Sequence, residues 1–204
     1  MIYLDNSATT RTLTAAAEAA RQYMDENFFN PAAAYAPAVE SERAVNGARA
    51  RLADAMHAGA DEIIFTSGGT ESNNMAIRGS LGAMRGRGRI IMSAVEHPSV
   101  FEVMRNLSAE YNVVEAGVDK EGRVDLGGLS QLITPNTRLV SIMQVNNETG
   151  AVNDIPAIYK LVKRMAPGAL LLEVGAAGNA PEEAVLAGQL FAQCMAEVLQ
   201  ARSK

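Results

Sequence analysis

Residues 62–74 read Glu62-Ile-Ile-Phe-Thr-Ser-Gly-Gly-Thr-Glu-Ser-Asn-Asn74, and this order decides the fold class. An apolar run closed by Ser67-Gly68-Gly69 suits a buried strand. From Thr70 onward, Ile77, Leu81 and Met84 recur at helical spacing, so the glycine pair joins a strand to a helix. That unit is the building block of parallel α/β sheets. Glycines at the carboxyl end of a strand let the backbone come close to a ligand. The helix start beyond them presents free N–H groups and a positive dipole end, which suits a phosphate. Thr70 adds a hydroxyl. The other reading is a tight turn with Thr70 as an ordinary helix cap; the motif alone leaves the two even.

Working outward, the alternation repeats. Upstream, Leu13, Ala17, Ala20, Met24 and Phe28 predict an amphipathic helix over 13–28, and Val45, Ala48, Leu52 and Met56 a second ending near Gly59. Downstream, strands are expected at Arg89–Ser93, Asn112–Glu115, Arg138–Val145 and Ala169–Val174. Helical faces are expected at Val100/Val103/Met104/Leu107, at Leu126/Leu129/Leu132/Ile133 and at Ile155/Ile158/Leu161/Val162/Met165. Asp119–Gly122 is a turn with glycine where a positive φ is needed. The expected architecture is one α/β domain, a mostly parallel sheet with helices on both faces. After Val174 the pattern changes. Residues 175–179 form a small-residue loop, and 181–202 carry a strong apolar stripe with acidic start and basic end, which predicts a terminal helix docked on the domain or on another chain.

Composition sets the outer bounds. The 204 residues are 48% hydrophobic and 20% charged, enough for a core without disulfides or structural metal. A net charge of -5 argues against nucleic-acid and anionic-membrane surfaces. One cysteine, Cys194, on the apolar stripe of the last predicted helix, argues against a zinc site of several thiolates, and two histidines, His57 and His97, leave little for a multi-His site, so no metal is expected. His57 at a helix end is explained by the dipole, and Arg85-Gly-Arg-Gly-Arg89 reads as a solvated loop. The longest apolar run, Ala169–Leu172, is far short of a membrane span, and the N-terminus resembles no secretory signal, so the expected location is the cytoplasm.

Two further segments lie just past predicted strands, where open α/β sheets bind ligands. In Val95-Glu-His-Pro-Ser99, His97 can stack on or polarise a ligand, or be satisfied in a loop with Ser99 capping the next helix. In Val145-Asn-Asn-Glu-Thr-Gly150, paired asparagines can hold a polar ring substituent, or build an Asx turn closed by Gly150. The coincidence of three such segments on one sheet edge favours a site.

Tyr3-Leu-Asp-Asn-Ser-Ala-Thr-Thr10, Asn30-Pro31, residues 62–74, Glu96-His-Pro98 and Val145–Gly150 occur in order and at fitting intervals. Together, from residue 2 to about 171, they resemble the cysteine desulfurases, pyridoxal-phosphate enzymes of the class V aminotransferase group. The resemblance implies a fold-type I large domain over 1–174, with 175–204 outside the family pattern. It implies a reaction that removes sulfur from L-cysteine, leaving alanine and an enzyme persulfide. It implies that Gly69 and Thr70 bind the cofactor phosphate, that His97 stacks on the pyridine ring as the catalytic histidine, and that Asn147 bonds the phenolic oxygen. A homodimer and a sulfur-acceptor partner are implied as well.

The chain also departs from the family. Ala32-Ala-Ala-Tyr35 replaces the usual Ser-Ser-x-His, and Leu172-Glu-Val-Gly175 replaces the His-Val-Asp whose aspartate pairs with the pyridine nitrogen. None of the four lysines (Lys120, Lys160, Lys163, Lys204) stands in the family's Schiff-base motif, and Cys194 is not in a mobile-loop context. The expectation is a chain that stops partway through the family pattern, binds the cofactor without a covalent link and is inactive alone. Two other readings stand beside it: a non-catalytic scaffold, and one half of a split enzyme completed by a second chain.

Overall fold

The computed structural model describes residue 2 and residues 10–172, which fall in two compact units, Met1–Phe65 and Thr66–Lys204. The terminal helix expected over 181–202, and Cys194 within it, lie outside the described residues.

The first unit holds two helices, α1 (Thr14–Asp25) and α2 (Ala36–Met56), then a short 3-10 turn over Ala60–Glu62. The helical periods at 13–28 and 45–56 are real, but their apolar stripes are not core. No residue of α1 is buried, and α2 buries Ala38, Ser41 and Ala53 while Val45 and Leu52 stay exposed. Helix α2 ends at His57, in the left-handed region at φ 52°, short of the expected Gly59. The strand expected at residues 62–66 is absent. Ile63 is extended, but Ile64 is 60% exposed, and no described strand offers this segment a ladder. Extended backbone becomes strand only when its N–H and C=O groups find a neighbour. Here the Ile63 carbonyl accepts from the Arg49 guanidinium instead, and the same cation lies 4.8 Å from the centre of the Phe65 ring.

The second unit is a four-stranded sheet with its helices. In chain order it runs α3 (Gly69–Ala83), β1 (Arg89–Ser93), α4 (Pro98–Asn106), β2 (Asn112–Ala116), α5 (Leu126–Leu132), β3 (Thr137–Ser141), α6 (Ile155–Met165) and β4 (Leu170–Leu172). All pairings are parallel, in the order β2-β1-β3-β4. Parallel strands are buried on both faces, and successive side chains feed opposite cores. Ile90, Met92, Leu139, Leu170 and Leu172 pack with Ile77 and Leu81 of α3 and Val100, Val103 and Met104 of α4. Ile91, Val140 and Leu171 pack with Leu129 of α5 and Ile155, Ile158 and Val162 of α6. Gly122 has φ 83°, as the turn at 119–122 requires.

From β1 the chain proceeds outward to β2 on one side, and from β3 outward to β4 on the other. Right-handed crossovers then put α4 and α6 on opposite faces. Between β1 and β3 the sheet therefore has a topological switch point, the place where open α/β sheets bind ligands beyond the carboxyl ends of their strands. The segments after these two strands carry His97 and Asn147.

Strand β3 is shorter than the expected 138–145. Ile142 N–H still bonds the Leu172 carbonyl at 3.0 Å, but the next N–H, that of Met143, donates to the Glu96 carboxylate at 2.8 Å. That side chain takes the ladder partner's place and ends the strand. The loop at 85–89 is not simply solvated either, because Arg89 donates to the Leu132 carbonyl at 2.7 Å and Arg87 pairs with Glu110 at 3.7 Å.

Candidate active site

Gly69 and Thr70 open α3, and both are exposed. No side chain caps this helix start among the described residues. A Cβ placed on Gly68 or Gly69 would meet nothing within 4 Å, so open space lies over both glycines. The loop before them is held in shape. Ser67 N–H and Oγ both donate to Glu71 Oε2, at 2.7 and 2.6 Å, and Thr66 Oγ1 lies 2.6 Å from Ser72 Oγ. The Ser67 hydroxyl first, and its N–H second, hold the Glu71 carboxyl below its ordinary range.

His97 caps α4 in place of the expected Ser99. Its Nδ1 accepts the Ser99 N–H at 3.1 Å, with Pro98 at the first helical position. Ser99 Oγ lies 2.7 Å from the same nitrogen and accepts from Asn73 Nδ2 at 2.8 Å. With Nδ1 an acceptor, a neutral ring carries its proton on Nε2. The ring itself is exposed, oriented from one edge and open to a ligand. Asn73 belongs to α3, so the helix behind the glycines and the histidine cap are tied directly.

After β3 the two asparagines divide the work. Asn146 is buried and builds the Asx turn. Its Oδ1 accepts from Glu148 N–H and Thr149 N–H at 2.9 and 2.8 Å, and Gly150 closes the turn at φ 72°. Its Nδ2 reaches the Val95 carbonyl at 3.1 Å, joining this turn to the one bearing His97. Asn147 is left half-buried beside it.

Glu96 is the one charged side chain buried among the described residues, at 7% exposure. Its carboxylate accepts from Ser93 Oγ at 2.7 Å, Met143 N–H at 2.8 Å and Ser141 Oγ at 3.4 Å. Burial pushes its carboxyl above the ordinary range, and these three donors offset part of that. In the sequence, Glu96 stood out only as the neighbour of His97, and Asn73 and Ser99 not as site residues. Their roles depend on partners 26 to 47 residues away.

Among the described residues, no group of three His, Cys, Asp or Glu side chains is placed to hold a metal ion, and no helix is long and apolar enough to cross a membrane.

A four-stranded parallel sheet with a glycine-opened helix, a histidine cap and an asparagine turn at the ends of its elements defines an open α/β protein. The profile described as "Aminotransferase class-V" matches residues 2–185, and the chain belongs to that family. Within it, the chain is similar to cysteine desulfurases. It is 43% identical over 164 residues to "Cysteine desulfurase IscS" of Methanosarcina thermophila, a match covering 79% of this chain and 41% of that protein. Among solved structures, "NIFS-LIKE PROTEIN" superposes with a TM-score of 0.77 at 32% identity, covering 84% of this chain and 48% of the other. "SspA in complex with cysteine" superposes with a TM-score of 0.73 at 30% identity, covering 84% and 49%. The chain thus spans less than half the length of each of these relatives.

Proposed function

We propose that this chain is the cofactor-holding portion of a cysteine desulfurase and binds pyridoxal phosphate. The observation that carries the reading is the open space over Gly68 and Gly69 at an uncapped helix start, in the unit that also bears His97 and Asn147. This donor set fits the group. Gly69, Thr70 and the α3 dipole would hold the phosphate, the exposed His97 ring would stack on the pyridine, and Asn147 would bond the phenolic oxygen. When bound, the cofactor supplies an electron sink for carbon–sulfur cleavage of L-cysteine.

The chain's own residues bind and orient. His97, with Nδ1 engaged by Ser99, presents an Nε2–H and a flat face. No lysine, pyridine-facing aspartate or sulfur-accepting cysteine is found in family context among the 204 residues, so this chain alone holds the cofactor without turnover. Those groups would come from outside these 204 residues. Homodimerisation, transfer of sulfur to an acceptor protein and a cytoplasmic location complete the reading, on the family resemblance.

Titration with pyridoxal phosphate, borohydride reduction and mass spectrometry test it. The expected result is saturable binding, weakened by Thr70→Val and His97→Ala, with no lysine adduct and no sulfide from cysteine. An adduct on Lys120, Lys160, Lys163 or Lys204 would overturn the non-covalent reading, and absence of saturable binding would overturn the proposal.

A further inference from the structure

A carboxylate buried without a cation is costly, and Glu96 has no arginine or lysine within ion-pair distance among the described residues. What surrounds it is two pieces of backbone that carry the ring-binding groups. From the β1 side come Ser93 Oγ and the turn leading straight into His97. From the β3 side come Ser141 Oγ and the Met143 N–H, four residues before Asn147. We propose that Glu96 is a positioning residue: its carboxylate staples the His97 turn to the Asn147 turn and so sets the spacing of the two groups that would flank a bound ring. The assignment of those groups to a ring rests on the proposed function; the staple itself does not.

The geometry argues for this over a purely structural role. Parallel strands β1 and β3 already pair from Arg89 to Met92 without help from Glu96. Beyond Met92 and Ser141 that ladder stops. Glu96 acts at that point, where the sheet no longer holds the spacing. The second tie, Asn146 Nδ2 to the Val95 carbonyl, cannot replace it, because it leaves the Met143 N–H unmatched.

Nuclear magnetic resonance of the unliganded chain separates the possibilities, since only His57 and His97 give imidazole signals and His57→Gln assigns them. Glu96→Gln keeps an acceptor for Ser93 Oγ and Met143 N–H; Glu96→Leu keeps bulk without one. The expected result, well below the melting midpoint, is that Glu96→Leu moves the His97 ring and Asn147 side-chain signals together while His57 stays put. Glu96→Gln should leave all three near their wild-type positions. Pyridoxal phosphate affinity should weaken about tenfold in Glu96→Leu, the equivalent of one lost hydrogen bond, and recover in Glu96→Gln. A folded Glu96→Leu protein with unmoved His97 and Asn147 signals would falsify the staple, as would a Glu96→Gln protein disturbed equally. If Glu96→Leu does not fold, the Ser93→Ala/Ser141→Ala pair must show the same joint movement, and its absence overturns the inference. Failure of the wild-type chain to bind pyridoxal phosphate would sink the proposed function and leave the resonance result to decide this one.

Discussion

At the scale of single residues, Glu96 ties pH to stability. Burial raises its carboxyl above the ordinary value of 4.5, so the folded chain keeps a proton that the unfolded chain has released. The sign follows. The protonated form's advantage is fully present below the unfolded value and is lost as pH rises through the folded one. Glu71 acts oppositely, because its lowered value yields stability above the unfolded value that disappears on acidification. Glu96→Gln cannot titrate, so it isolates the first effect. Denaturant unfolding from pH 4.5 to neutrality should show wild-type stability falling relative to Glu96→Gln. Parallel curves would mean that the carboxyl is not raised.

Elements differ in how firmly their apolar faces are used. Helix α6 buries Ile155, Ile158 and Val162, and Asp154 caps it by accepting the Ala157 N–H at 3.0 Å. Helix α1 has the same kind of stripe and buries nothing, with Met24 81% exposed. Ile158→Ala should therefore cost about 2–5 kcal/mol, whereas Met24→Ala should stay within about 0.5 kcal/mol. A comparable loss at Met24 would show that α1 is covered in solution. The contrast also marks what the sequence could tell. Local period was enough for β1, β2 and the six α-helices among the described residues, because each is a short apolar run or an amphipathic face. It was not enough for the segment at 62–66, since strand formation there depends on a partner. Nor did it reveal the end of β3, which Glu96 sets from 47 residues away. The helix start at Gly69 and Thr70, the turn before α4 at His97 and the turn beside Asn147 were legible as local structure, because helix starts and turns are local. The staple and the Asn73–Ser99–His97 chain were not, because tertiary contact creates them.

For the whole molecule, the two units should differ in their opening free energies. The sheet unit has apolar cores on both faces and its central strands β1 and β3 almost wholly buried. The first unit has one helix with no buried residue and another that buries only Ala38, Ser41 and Ala53. Amides exchange through the least costly opening that frees them, and that cost follows buried apolar contact. Hydrogen exchange on the 204-residue chain should thus be slowest in Ile90–Met92 and Leu139–Ser141, at rates tracking global unfolding. Amides of Thr14–Asp25 should exchange orders of magnitude faster. Pyridoxal phosphate, if it binds where proposed, should slow exchange in Gly69–Ser72 and around His97 and Asn147 and leave α1 unchanged. Protection of α1 equal to that of β3 would overturn this ordering and place its apolar face, Leu13 and Met24 included, inside an interface formed in solution.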